Sequence, residues 1–187
     1  PDSAPADLAA ALEEFPTLAL EAYHGEDVYI YRPNSITWAH LEKVGVKGTQ
    51  AAPGQVPLPW TKAMLQGEPD ILRLARDWFL ARYGGAYEAI FSNPFYLEIT
   101  CKGSTKGGMV AKLARLTGIA PGHIYCVGDN QNDIPMLEQS AVPFAPANCA
   151  PEVREWGARI LCHCDDGVIG DILEILERLY PDAGTTA

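Results

Sequence analysis

The stretch VGDNQNDIPML, residues 127–137, holds the side chains best suited to chemistry. Asp129 and Asp133 lie four positions apart, so their carboxylates can converge where a turn enters a helix. Together with Asn130 and Asn132 they form an environment of oxygen ligands alone, which suits a hard cation such as Mg2+. Asx turns and helix caps use the same residue types, so a structural role is the alternative.

A lysine at the start of a predicted helix is the second candidate. In GSTKGG, residues 103–108, Ser104 or Thr105 can cap a helix, which puts Lys106 in its first turn. A cation there opposes the helix dipole at a cost of about 0.3–1 kcal/mol, and residues that break a local rule often mark functional sites. Beside free helix N–H groups, a lysine can hold a phosphate. A solvated surface lysine is the alternative, and the motif is not a Walker A loop.

The elements around these motifs predict where they lie. IYCVG, residues 124–128, is an apolar run that predicts a buried strand ending just before Asp129. Helices and short apolar strands alternate from residue 103 to 187, which is typical of a parallel α/β sheet. Ligands bind at the carboxyl edge of such a sheet. Asp129 is therefore expected at a ligand-binding edge.

Residues 1–102 follow a different pattern, which predicts the order helix, two strands, helix, strand, helix and two strands. The connections between these elements are short, which suits an antiparallel sheet with helices on one face, an α+β arrangement. Residues 47–59 hold three prolines and two glycines and are predicted to form a loop. The sequence thus predicts an α/β chain of two parts, with a boundary near residues 102–103.

The composition of the chain disfavours some classes of partner and favours one cellular compartment. The 187 residues carry 24 acidic and 14 basic side chains, a net charge of -10, which disfavours nucleic acid and anionic membrane surfaces. No apolar run approaches the roughly 18 residues of a membrane span, and no signal peptide is recognisable. Five cysteines, an odd number at irregular spacing, favour reduced thiols in a cytoplasmic protein. Cys162-His163-Cys164 could suggest a metal clip, but no second Cys/His pair follows at zinc-site spacing, so strand-end packing is favoured.

The two motifs together resemble those of the haloacid dehalogenase-like hydrolase superfamily, specifically the Cof-type phosphatases with a C2B cap. YLEITCKGSTKGGMVAKL is similar to the end of that cap followed by the family's lysine motif. IYCVGDNQNDIPML resembles the family's acidic metal motif, and CDDGVIGDILEIL resembles the entry to its C-terminal helix. The resemblance covers essentially the whole chain. It implies a cap domain over residues 1–102 and the C-terminal part of a parallel-sheet, Rossmann-like core over residues 103–187.

The resemblance also implies roles for individual residues. Lys106 would be catalytic, holding the transferring phosphoryl group and neutralising its charge. Asp129 would ligate Mg2+, Asp133 would support the metal site, and Asn132 would contact the phosphate or orient the loop. The implied activity is hydrolysis of a small phosphorylated metabolite, such as a sugar phosphate. A phosphomutase and a non-catalytic module that binds phosphate and metal are the alternatives.

One part of the family pattern is missing. The family's nucleophile lies in a D-x-D-G-T motif before the cap, whereas no two aspartates here are two residues apart. The early Ser or Thr that forms the family's second motif is also absent. The expectation is therefore a fragment of a longer phosphatase, whose partner would be its missing N-terminal core segment. By itself, the chain is expected to be inactive.

Overall fold

The computed structural model describes residues 1–180 and divides the chain into two compact units. The first unit is Pro1–Thr105, and the second begins at Lys106.

The first unit is a six-stranded sheet with three helices. The helices are α1 (Ala4–Glu14), α2 (Ser35–Val44) and α3 (Pro69–Tyr83). The strands are β1 (Ala19–His24), β2 (Asp27–Tyr31), β3 (Gly48–Gln50), β4 (Lys62–Gln66), β5 (Tyr87–Asn93) and β6 (Tyr96–Cys101). The strand order is β3-β2-β1-β4-β6-β5, and every neighbouring pair is antiparallel except β2 with β3.

Local signals explain where the helices of this unit begin and end. Asn34 and Thr37 form a reciprocal capping box at the start of α2, and Gly45 ends that helix with a left-handed backbone. Pro69 opens α3, at a position where a missing N–H costs nothing. Each of these boundaries thus follows from a residue type that favours it.

Two features of the first unit differ from the sequence prediction. The expected loop over residues 47–59 contains β3, which adds a parallel edge strand. A Cβ on Gly48 would lie 2.9 Å from the Ile30 side chain, so glycine permits the close approach that this pairing needs. The helices also lie on both faces of the sheet, because Leu41 of α2 packs on Val28 and Ile30 of β2.

The opposite face of this sheet carries the main core. Leu20 of β1 and Leu65 of β4 pack there against Leu8 of α1 and against Leu72 and Phe79 of α3. All five of these side chains are fully buried, so this face provides most of the unit's apolar stabilisation.

The second unit is a three-stranded parallel sheet with helices around it. Its strands are β7 (Tyr125–Val127), β8 (Val142–Ala145) and β9 (Arg159–Ile160), in that order across the sheet. Its described helices are α4 (Lys106–Thr117), α5 (Ile134–Leu137), α6 (Pro151–Trp156) and α7 (Val168–Leu179). Alternate residues of β7 face two apolar clusters, with Cys126 in one and Tyr125 and Val127 in the other.

The predicted fold class is confirmed. The chain is α/β, with a mainly antiparallel sheet in the first unit and a parallel sheet in the second. Across residues 1–180, no helix has the length and apolar character needed to cross a membrane.

Candidate active site

The carboxyl ends of β7, β8 and β9 share one edge of the second unit's sheet, because the three strands are parallel. Asp129 lies two residues beyond β7, as the sequence predicts. The loop after β8 joins it, because the Ala150 amide donates to the Asp129 carbonyl oxygen at 2.8 Å. The sheet therefore holds the predicted acidic loop at its carboxyl edge.

Asp133 is the centre of this loop. Its side chain is only 4% exposed, and its Oδ2 accepts hydrogen bonds from the amides of Asp129 at 2.9 Å and Asn130 at 3.2 Å. Its Oδ1 accepts a hydrogen bond from the Lys106 ammonium. Burial favours the protonated acid, but the Lys106 and amide hydrogen bonds outweigh it and hold the pKa of Asp133 below its ordinary value. Asp133 is therefore an anion that fixes both the loop and Lys106.

Two glycines allow the loop and helix α4 to come this close. A Cβ on Gly128 would lie 2.3 Å from the Cβ of Asp133, and one on Gly107 would lie 1.9 Å from the Pro135 carbonyl oxygen. Since α4 begins at Lys106, the absence of a side chain at Gly107 lets the lysine reach Asp133. The glycine that directly follows Lys106 in the sequence motif thus has a steric reason.

Replacing Gly107 with alanine is expected to lower the free energy of unfolding by about 1–3 kcal/mol, the usual cost of forcing extra atoms into a packed site. Urea unfolding measures the change. Gly170 in α7 is the matched control, because a Cβ there would meet nothing within 4 Å. Gly170→Ala is expected to leave stability unchanged or to raise it by up to about 1 kcal/mol. Equal losses in both variants would contradict the close approach at Gly107.

The Lys106 side chain is half exposed, at 51%. An ammonium group has three donors, and Asp133 takes one of them. The other donors can bind an anion at the carboxyl edge of the sheet. Lys106 is thus a fixed cation with spare hydrogen-bonding capacity.

The other two predicted site residues lie in the same loop. Asp129 is exposed, and no residue among 1–180 forms a hydrogen bond or ion pair with its carboxylate. Asn132 is partly buried within the turn Gln131–Asp133. The structure thus brings Lys106, Asp133 and the Asp129 backbone together, while the roles in phosphate and metal binding stay predictions.

One side chain at this edge of the sheet is a suitable ligand for a hard cation. Asp129 offers a carboxylate with no protein partner among the described residues, and Mg2+ is commonly held by one or two carboxylates, substrate phosphates and waters. Both oxygens of Asp133 already accept hydrogen bonds. Asp129 is therefore the residue of the pair that is free to bind a metal, and Asp133 is placed to orient it.

Sequence reasoning missed a buried polar network in the first unit. The Glu21 carboxylate accepts hydrogen bonds from Tyr23 and Gln66, each at 2.6 Å, and contacts the His40 ring at 3.0 Å. Glu21 and Gln66 are both fully buried. Burial and the Glu21 contact raise the pKa of Tyr23 above its ordinary value. Glu21 and Gln66 lie on β1 and β4, which are neighbours only in the sheet, so their separation along the chain carries no signal.

The chain resembles known proteins over most of its length. Residues 3–173 match the family described as haloacid dehalogenase-like hydrolases. Over 69 residues the chain is 42% identical to YxeH of Bacillus subtilis, which is named as a candidate phosphatase; the match covers 37% of this chain and 26% of YxeH. Over 90 residues it is 32% identical to the Bacillus subtilis 5-amino-6-(5-phospho-D-ribitylamino)uracil phosphatase YwtE, covering 48% and 32% of the two chains.

Solved structures share the fold. The HAD subclass IIB sugar phosphatase BT4131 superposes with a TM-score of 0.80 at 17% identity, covering 94% of this chain and 66% of that one. The matches thus span about a quarter to a third of the two curated relatives and about two thirds of the solved structure. The family match extends through both units and includes the Lys106 and Asp129 motifs. The predicted family is confirmed: this chain belongs to the haloacid dehalogenase-like hydrolases.

Proposed function

We propose that this chain supplies the phosphate-holding and metal-binding part of a phosphatase that acts on a small phosphorylated metabolite, such as a sugar phosphate. One observation carries the proposal. The Lys106 ammonium is fixed by buried Asp133, and the same carboxylate holds the backbone of Asp129, whose own side chain is free. A cation and an unengaged carboxylate that are held by the same buried aspartate suit a phosphate bound together with a divalent metal.

Each residue has a defined task in this proposal. Lys106 donates to the phosphate oxygens and neutralises the charge that builds up during transfer. Asp129 binds Mg2+, and Asp133 keeps both groups in place through its three hydrogen bonds. Asn132 contacts the phosphate or orients the loop. When bound, Mg2+ supplies positive charge that offsets the phosphoryl oxygens.

In this proposal, the nucleophile belongs to a segment outside this sequence. No two aspartates of the chain are two residues apart, so the aspartate that would form an aspartyl-phosphate comes from a preceding core segment. A strand of that segment added beside β7, at the end of the β7-β8-β9 order, would bring its carboxyl end to the edge that holds Asp129.

The surface of α4 supports an additional partner for the second unit. Met109, Leu113 and Leu116 follow one another at helical spacing, and they are 49%, 60% and 76% exposed. Apolar stripes of this kind usually mark a surface that another element covers. The missing core segment would cover it in the complete protein.

The similar proteins support a small phosphorylated substrate. One is named as a sugar phosphatase and another as a phosphatase of a phosphoribityl compound. Both substrates are small polyol or sugar phosphates, the class proposed here. A phosphomutase would use the same residues but must exclude water, and a binding module would keep the anion and metal pocket without turnover.

Hydrolysis of p-nitrophenyl phosphate tests the proposal. The 187-residue chain alone is expected to show no turnover above background, because it lacks the nucleophile. The same chain preceded by its upstream reading frame is expected to show Mg2+-dependent turnover and to hydrolyse sugar phosphates.

Three outcomes separate the alternatives. Mg2+-dependent turnover by the chain alone, free of longer species, would contradict the missing nucleophile. Phosphate binding without turnover, together with a start codon directly before Pro1 in the gene, would favour the binding module. Transfer of phosphate between two positions of a sugar, without release of inorganic phosphate, would favour the mutase.

A further inference from the structure

The turn that follows β9 brings three different metal-binding side chains together. His163, Cys164 and Asp165 are consecutive, and one ligand atom from each lies within 4.8 Å of the other two. The Cys164 sulfur is 3.8 Å from His163 Nδ1 and 3.5 Å from Asp165 Oδ1, and His163 Nδ1 is 3.5 Å from Asp165 Oδ2. The turn therefore presents nitrogen, sulfur and oxygen ligands at one point.

The two separations measured from the Cys164 sulfur are close to the edges of a zinc coordination tetrahedron. With metal–ligand bonds of about 2.0–2.3 Å, two ligands of a tetrahedral zinc ion lie about 3.3–3.6 Å apart. The sulfur lies 3.8 Å from His163 Nδ1 and 3.5 Å from Asp165 Oδ1, whereas the nitrogen lies 3.5 Å from the other oxygen, Oδ2. With one atom from each residue, the separations stay within 4.8 Å. Rotation of the Asp165 carboxylate and release of the Asp165 amide from His163 Nδ1 would bring the three ligand atoms to the separations of the tetrahedron. We infer that His163, Cys164 and Asp165 form a binding site for a single Zn2+ ion.

A hydrogen bond within the turn determines the tautomer of His163. The Asp165 amide donates to His163 Nδ1 at 3.2 Å, so this nitrogen carries a lone pair and the ring proton is assigned to the other nitrogen. The ion would take the amide's place at that lone pair. Since imidazole must be neutral to bind a metal, the tautomer already suits the site.

Asn148 holds the cysteine from the loop after β8. Its Nδ2 donates to the Cys164 sulfur at 3.2 Å, and its Oδ1 accepts from the Cys164 amide at 3.2 Å. This two-point contact fixes both the backbone and the sulfur of Cys164. Groups that orient a metal ligand in this way usually change the metal affinity 10–100-fold when they are removed.

Chemistry and charge favour zinc over the magnesium expected at Asp129. A thiolate is a soft ligand and an imidazole an intermediate one, and both suit Zn2+ and not Mg2+. Deprotonation of Cys164 releases one proton to solvent, and the thiolate with the Asp165 carboxylate then balances the two charges of the ion. All three side chains are accessible to solvent, which leaves room for water or another ligand at a fourth position.

Cys162 is not part of this site, although the sequence places it next to His163. It packs with Phe144 and Ile172 in the apolar cluster below α7. Cys162 is partly buried in that cluster, whereas Cys164 is exposed in the turn. The ligand set is therefore His163-Cys164-Asp165. This site uses no residue of the proposed phosphate site, so it stands independently of the proposed function.

Titration of the 187-residue chain with Co2+, a spectroscopic substitute for Zn2+, tests the inference in the presence of excess Mg2+. One equivalent of Co2+ is expected to produce a thiolate-to-cobalt charge-transfer band and tetrahedral d–d bands, and added Zn2+ should remove both. Cys164→Ser should abolish the charge-transfer band, and Asn148→Ala should weaken binding about 10–100-fold. Far-UV circular dichroism checks that each variant is folded.

Cys101 provides the matched control. It is also exposed, but it lies at the end of β6 in the first unit, far from the turn in sequence. Cys101→Ser is expected to leave the cobalt spectrum unchanged. No charge-transfer band in the folded chain, or a band that survives Cys164→Ser, would overturn the inference. Loss of the band in Cys101→Ser with retention in Cys164→Ser would place the metal elsewhere and would overturn it as well.

Discussion

Replacing Lys106 with alanine is expected to lower kcat/KM of the complete protein by about 10²–10³, the scale on which one preorganised donor contributes to a charged transition state. Lys106 is fixed by Asp133 before any ligand arrives, so its charge costs little reorganisation during transfer. The loss should therefore lie mainly in kcat, because the charge on the phosphoryl oxygens develops during the reaction. Steady-state kinetics with p-nitrophenyl phosphate and with a sugar phosphate measure it.

Two variants show whether the loss is specific. Lys112 lies on the same helix and is exposed, so Lys112→Ala controls for the general effect of removing a positive charge and should leave kcat/KM near that of the unmodified protein. Asp129→Ala should weaken Mg2+ binding, so high Mg2+ should restore part of its activity but none of the activity of Lys106→Ala. Near-normal activity of Lys106→Ala would contradict the assignment, above all if substitutions at Cys162 or His163 abolished turnover.

Much of the fold could be predicted because local signals and tertiary structure agree. The apolar run before Asp129 was predicted to be a strand, and the structure has β7 there. The Asn34 cap and the left-handed Gly45 likewise have residue types that favour the conformation observed. The alternation of helices with apolar strands after residue 103 was enough to predict a parallel sheet. Such agreement between local preference and final structure is typical of natural sequences.

The parts that could not be predicted depend on tertiary contacts. β3 pairs with β2 although its segment is rich in glycine and proline, because Gly48 lets its backbone approach Ile30 and Leu41. Helix α2 covers the second face of the sheet through Leu41, and its apolar pattern alone could not say which face it meets. Local composition therefore described this segment correctly as irregular but missed the pairing.

The acidic loop shows the same limit within the candidate site. A spacing of four residues suggests that Asp129 and Asp133 share a metal, and the structure places both in one loop. The spacing does not show that Asp133 turns inward and accepts hydrogen bonds from two backbone amides and from Lys106. Short acidic side chains often bind nearby backbone amides, and only the fold shows which carboxylate remains free.

Replacing Asp133 with asparagine is expected to lower the free energy of unfolding by about 1–3 kcal/mol at pH 7, because a buried donor is left unsatisfied. An asparagine offers one oxygen and one NH2 group. If the oxygen faces the two amides, the NH2 group faces the Lys106 ammonium, and the reverse orientation puts it against the amides. In either orientation the asparagine NH2 group therefore faces another hydrogen-bond donor. Urea unfolding in the presence of a chelator measures the resulting loss in the free energy of unfolding.

The same substitution is expected to change how stability depends on pH. The pKa of Asp133 in the folded protein lies below its value in the unfolded chain, which is about 3.9. The stabilisation that ionised Asp133 contributes is thus complete above about pH 4. It is lost as the pH falls through the pKa that Asp133 has in the folded protein. The difference between the unmodified protein and Asp133→Asn should accordingly be constant from neutral pH down to about pH 5 and shrink below pH 4.

Asp129→Asn is the matched control for both effects, because it removes a carboxylate from the same loop whose side chain has no partner among the described residues. It should change stability by less than about 0.5 kcal/mol, as exposed substitutions usually do. Hydrogen exchange of peptides from β7 and α4 should show faster exchange in Asp133→Asn alone, which assigns the loss to the second unit. Equal stability of the two variants would contradict the central role of Asp133, since a loop held by other contacts would not distinguish a buried carboxylate from an exposed one.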